Sequence, residues 1–148
     1  MAKVVDAVEI RPRVFYRTIQ IGPVFFEEPP ADDDVVEIPG DGLRLNSSDN
    51  DFYPLVRLEV WDGPASRPSE DWDYERDFRA SSSGHVSVVD LGGVAYGMIQ
   101  VPSGTYVLRL LCRGREHLVA TLALDPFPPE GPHEDPLEFW LLQMWPAG

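Results

Sequence analysis

A single cysteine, Cys112, among 148 residues leaves no partner for an internal disulfide, so no covalent staple is expected in this chain. Long apolar runs are missing as well. The longest near the end, Phe139-Trp140-Leu141-Leu142, falls far short of the roughly 20 residues that span a bilayer, and no N-terminal stretch joins a basic start to a long apolar core. The expectation is a cytoplasmic protein with no membrane partner. Basic residues are scarce: twelve Lys and Arg face twenty-five Asp and Glu, giving a formal charge of −13. Such a charge repels a phosphate backbone and attracts cations, which disfavours nucleic-acid binding and favours a basic protein partner. The three histidines, His85, His117 and His133, stand in no His-x-x-x-His arrangement, and no Cys-x-x-Cys exists, so neither a metal site nor a cofactor is expected. Ser47-Ser48 and Ser81-Ser82-Ser83 lack a Gly-x-Ser-x-Gly elbow. Gly92-Gly93 and Gly97 lack the spacing of a phosphate cradle. Asp32-Asp33-Asp34 and Asp49-Asn50-Asp51 lack the twelve-residue calcium loop. The chain reads as a non-enzyme.

What it has instead is punctuation. Fifteen prolines and twelve glycines cut the chain into apolar runs of strand length with turn chemistry between them. The runs are Val14 to Ile21, Gly42 to Leu45, Leu55 to Trp61, Trp72 to Ala80, His85 to Leu91, Tyr96 to Val101, Thr105 to Arg113, Leu118 to Leu124 and Leu137 to Trp145. In the third, Val56, Leu58 and Val60 fall on one face; in the seventh, Tyr106, Leu108, Leu110 and Cys112 do. Cys112 is therefore a small buried hydrophobe before it is a nucleophile. Pro102-Ser103-Gly104 suits a turn, and Asp125 to Pro136, dense in proline, suits a loop before the last strand. The fold class expected is all-β: an antiparallel β-sandwich of seven or eight short strands, residues 1–148 forming one domain. A chain of this size buries about 68–70% of its unfolded surface.

The acids are concentrated. Seven lie between Glu27 and Asp41 (Glu27, Glu28, Asp32, Asp33, Asp34, Glu37, Asp41) with no base among them. A second set is periodic: on a strand, Asp71, Asp73, Glu75 and Asp77 share one face, about 7 Å from one another, opposite Trp72, Tyr74 and Phe78. That spacing is comparable to the phosphates of a nucleic-acid backbone. A charged strand of this kind also guards a sheet edge against aggregation. Trp61, at the end of its strand, adds an aromatic of the type that anchors protein interfaces. The partner-binding candidates are thus Asp71, Asp73, Glu75, Asp77, Asp32, Asp33, Asp34 and Trp61.

Several short elements together resemble the competence-protein-J family of DNA-entry nuclease inhibitors: an early aromatic strand (Phe15-Tyr16), a Gly-Leu strand opener (Gly42-Leu43), an apolar strand ending in a charged loop (Val56 to Asp62), and Val101-Pro102-Ser103-Gly104-Thr105-Tyr106, similar to that family's Leu-Pro-x-Gly-x-Tyr turn and strand. The resemblance implies an all-β fold and inhibition of a partner enzyme by occlusion. It carries over no binding residue, and neither the Pro-rich stretch around Phe127 nor the ending Trp140 to Pro146 has a counterpart in it. The function expected is inhibition of a basic enzyme, a nuclease or nuclease-like toxin. A module for a small ligand or carbohydrate, an enzyme with a scattered site, and a structural protein are the rival readings.

Overall fold

Periodicity and burial agree most closely where the sheet is deepest. In a computed structural model, which describes residues 1–14, 17–47, 53–115 and 138–148, the regular elements are strands: β1 (Val4–Ile10), β2 (Thr18–Gly22), β3 (Val36–Glu37), β4 (Leu43–Asn46), β5 (Leu55–Trp61), β6 (Tyr74–Asp90), β7 (Ala95–Arg113) and β8 (Phe139–Pro146). They form one eight-stranded sheet in the order β1-β5-β8-β7-β6-β2-β4-β3. Val56 and Leu58 of β5, Leu108 and Leu110 of β7, and Trp140 and Leu142 of β8 alternate inward and are almost wholly buried. Each fully buried side chain of this size contributes about 1.5–3 kcal/mol.

The all-β expectation holds, and its details change. The sheet is mixed, because β5 and β8 run parallel, Leu55 beside Phe139 through Val60 beside Met144. It is also one hydrogen-bonded sheet in place of two. The runs expected as Trp72 to Ala80 and His85 to Leu91 belong to one strand, β6, and Pro102-Ser103-Gly104 does not reverse the chain, since β7 continues through it. Trp72 itself precedes β6. Strands β1 and β3 were not expected: β1 is exposed along most of its length and β3 has two residues, too little apolar pattern to stand out. The Leu118 to Leu124 run, the Pro-rich stretch, Phe15-Tyr16, Asp49-Asn50-Asp51, His117 and His133 lie outside the described residues.

A hairpin as long as β6–β7 would extend for about 50 Å if straight. It is not straight. Pairing slips between Ser82 and Gly84 on β6, opposite Val101 and Gly104 on β7, and both glycines take positive φ, 133° and 152°, a region open chiefly to glycine. Ser82 holds the slip together: its hydroxyl donates to the Val101 carbonyl at 2.8 Å and accepts the Gly84 amide at 3.1 Å. Bulges of this kind bend a strand and sharpen its twist. Beyond the bend, β2, β4 and β3 attach to Ser87–Asp90, whereas β8, β5 and β1 attach to Tyr106–Arg113. The sheet thereby folds over itself, so that Ile19, Ile21, Leu43 and Leu45 of one half join Leu58, Leu110 and Trp140 of the other in a single core. Closure is tight at the far edge, where a Cβ on Gly97 of β7 would sit 2.9 Å from Ile10 Cδ1 of β1.

The connection from β5 to β6, residues 62–73, crosses the outer face of β8 and β7. Arg109 of β7 donates to the Ala65 carbonyl at 3.1 Å, and Gln143 of β8 donates to Ser66 at 3.1 Å. Leu111 and Leu141, which face outward by alternation, are buried with the rest. Replacing Ser82 with alanine removes two partners at a buried bend; the Ser82→Ala chain is expected to lose about 1–3 kcal/mol in urea unfolding, with its midpoint lowered and its slope unchanged.

Candidate acidic interface

The first half of β6 has β7 on one side only, since β2 pairs with its far end. The open side is covered by the acidic connection that follows β2. Phe25 and Ser81 exchange backbone hydrogen bonds at 3.0 and 2.8 Å, and six residues further along Arg76 donates to the Ala31 carbonyl at 2.7 Å. Asp33 then closes the cover: its Oδ2 accepts from the Tyr74 hydroxyl at 2.7 Å and from Arg76 Nη1 at 3.1 Å. Two acidic stretches about forty residues apart in sequence thus meet along one strand. Glu27, Glu28, Asp32, Asp33 and Asp34 lie exposed on one flank, and Asp71, Asp73, Glu75 and Asp77 lie exposed on the outer face.

The expected alternation of the second group is present, with Tyr74 half-buried between the exposed Asp73 and Glu75, and Phe78 buried next to the exposed Asp77. Its charges are not bare. Glu75 pairs with Arg67 at 2.7 Å, Asp77 with Arg109 at 3.6 Å, and Arg113 with Glu70. Asp73 Oδ2 accepts the Arg115 amide at 3.0 Å. Neutralisation is partial only over the two groups together, where Glu27, Glu28, Asp32, Asp33, Asp34, Glu70, Asp71, Asp73, Glu75 and Asp77 outnumber Arg67, Arg76, Arg79, Arg109 and Arg113. Within the first group, Asp33 Oδ1 also accepts the amides of Val35 and Val36, and Asp32 Oδ1 accepts that of Ile38. Asp32 and Asp33 therefore shape the loop as well as charge it.

Trp61 stands apart. It lies on β5, three strands from β6, about 14 Å across the sheet, half-buried, with its indole N–H donating to Glu59 Oε1 at 3.0 Å. A ladder joins it to the acidic strand: Glu59 pairs with Gln143, Gln143 with Arg109 and Arg109 with Asp77 in strand register. Glu59 and Gln143 are buried, Gln143 donates to Glu59 at 3.2 Å, and Arg109 also lies over the Trp145 ring at 4.9 Å. No sequence pattern marks this ladder, since its members sit on four strands. Cys112 is buried and its thiol is pushed up by desolvation, which removes the thiolate that nucleophilic chemistry needs.

Burial of Asp33 works to raise its carboxyl pKa, but the hydrogen bonds from Tyr74, Val36 and Val35 and the charge of Arg76 outweigh it and hold the group below its ordinary value. Desolvation, and next the bond to Asp33, pushes Tyr74 up to about 12. The hydroxyl therefore stays a donor at neutral pH.

No protein-family model matches this chain, and no curated protein matches it. Two solved structures share its fold across nearly the whole length. One is ComJ from Bacillus subtilis, an inhibitor of the DNA-degrading activity of NucA, with a TM-score of 0.63, 8% identity, and 99% of each chain covered. The other is described as crocagin biosynthetic gene J, with a TM-score of 0.57 and 12% identity over 100% of this chain and 99% of that one. The resemblance drawn from Val101 to Tyr106 and the other short elements is thus present as a shared fold.

A carboxyl with a depressed folded-state pKa stabilises the fold above its unfolded value, near 3.9, and loses that contribution as pH falls through the folded value. Asp33→Asn is expected to cost about 1 kcal/mol at neutral pH, the exposed ion pair adding little. It should also flatten the acid limb of stability against pH, measured by thermal unfolding from neutral pH downward.

Proposed function

We propose that this chain is a non-enzymatic inhibitor that covers the cationic cleft of a basic enzyme, a nuclease or nuclease-like toxin, with the acidic rim along the first half of β6. The observation that carries this reading is the convergence of the loop acids Asp32, Asp33 and Asp34 with Asp71 and Asp73, just before β6, and Glu75 and Asp77 on it. It is supported by a fold shared with an inhibitor of a DNA-degrading enzyme. Arginines within the rim hold Glu75 and Asp77 in place, so the carboxylates are presented without collapsing on one another. The net field remains negative and steers a cationic partner during encounter. Trp61, across the sheet, belongs to the reading only as a second contact at the rim of a footprint of ordinary size.

Affinity capture from the native host at low and high salt, followed by assay of the captured enzyme with and without added chain, tests the proposal. A basic enzyme that is released at high salt and blocked stoichiometrically is expected. Capture indifferent to salt, or a captured enzyme left fully active, counts against it. With that enzyme in hand, replacing Asp71, Asp73, Glu75 and Asp77 by Asn or Gln should slow association roughly tenfold or more at low ionic strength and flatten its salt dependence. An unchanged salt slope would move the interface elsewhere.

A further inference from the structure

On the side of the fold away from Ser82, the two folded halves of the sheet leave a cavity of about 620 Å³ lined by Arg17, Arg44, Arg115, Asp34, Glu37 and Leu91, among others. Leu91 follows the end of β6 and Arg115 follows the opposite end of the hairpin, so the bend itself assembles this cavity. Three of the chain's twelve basic residues converge on it in a strongly acidic protein. Arg115 Nη1 donates across the seam to the Asn46 carbonyl at 2.8 Å, and its guanidinium lies 5.7 Å from the Trp140 ring centre, which fixes its position. Arg44 Nη1 pairs with Glu37 at 3.6 Å, yet Arg44 Nε is buried and meets no acceptor among the described residues. A buried guanidinium N–H without an acceptor is costly and calls for one. Arg17 is held in the left-handed region at φ 60°, an outlier of the kind that gathers at ligand clamps.

We propose that this cavity binds a small phosphorylated molecule, its phosphate group seated among Arg17, Arg44 and Arg115. Guanidinium groups match phosphate oxygens in paired hydrogen bonds, and the Arg44 side chain keeps about a third of its surface exposed beside a long 3.6 Å contact with Glu37. The volume exceeds what a lone phosphate fills and lies within the range of small-molecule sites. Leu91 offers an apolar wall, and the Asp34 carboxylate, also in the lining, accepts hydroxyl donors. The proposal shares Asp34 with the acidic interface but rests on the three arginines, none of which that interface uses.

Amide NMR titrations with inorganic phosphate, a nucleoside 5′-monophosphate, citrate, and sodium chloride at matched ionic strength test it. Phosphate and the nucleotide should shift the amides of Thr18, Leu45, Asn46 and Leu91 saturably, with a dissociation constant of about 1 mM or tighter. Equal affinity for the two probes would identify the phosphate group as the whole ligand, and tighter nucleotide binding would place the rest of the molecule in the cavity; both support the site. Arg44→Gln should weaken binding roughly tenfold while the amides of β5 and β8 keep their positions. If Arg44→Gln fails to fold, Arg115→Gln carries the same comparison. Shifts reproduced by sodium chloride, saturation by citrate alone, or unchanged phosphate affinity in a folded variant would overturn the proposal.

Discussion

The molecule depends on a bend in one hairpin. A flat sheet of eight strands would leave an apolar face open to water, and the only way for one sheet to bury its own face is to fold across itself. Gly84 and Gly104 make that fold sterically possible, but a slipped ladder also strands polar backbone groups in the interior. The Ser82 hydroxyl takes up two of them at once. Core packing between Ile19, Leu43 and Trp140, the contact of Ile10 with Gly97 and the arginine-lined cavity all require the two halves to face each other.

The same bend explains how so acidic a chain arranges its charge. Folding brings Asp33 onto Tyr74 and Arg76, and it would also bring the loop acids against those of β6 were arginines not set between them. Arg67, Arg76 and Arg109 meet carboxylates from both stretches. Like charges this close would oppose the compact state; the interleaved cations reduce that cost while leaving an acidic surface. Beneath it, buried Glu59 is shared by Arg57, Trp61 and Gln143, so this buried carboxylate is fully engaged.

Much of this was written in the sequence and some was not. Alternation in β5 and in the second half of β7 specified which side chains face the core, because both strands are interior and amphipathic over seven residues or more; it did not show that Glu59 and Leu111 on the other face are buried too. The alternation of acids with Tyr74 and Phe78 likewise identified the exposed side of β6. Continuity was illegible: Ser81 to Gly84 and Pro102 to Gly104 carry turn residues, and nothing local distinguishes a turn that reverses the chain from a bulge that only bends it. Strand direction was illegible too, since the parallel pairing of β5 with β8 depends on a crossover over β7 and β8 that leaves no local pattern. Trp61 stood out in the sequence as an aromatic at a strand end, but the bond from its indole N–H to Glu59 on the same strand did not. The arginine cavity draws residues from five separate segments, each unremarkable alone.

The parallel partner of β5 arrives late. β8 is the last strand in chain order, yet it lies between β5 and β7 in the middle of the sheet. During synthesis, a chain that has emerged as far as Arg113 holds two half-sheets whose facing backbone edges, those of β5 and β7, have no strand to join them. Such edges template pairing between molecules, and contacts this distant in sequence form slowly. The interval before β8 inserts is therefore when a nascent copy of this protein is most exposed to its neighbours on the same message.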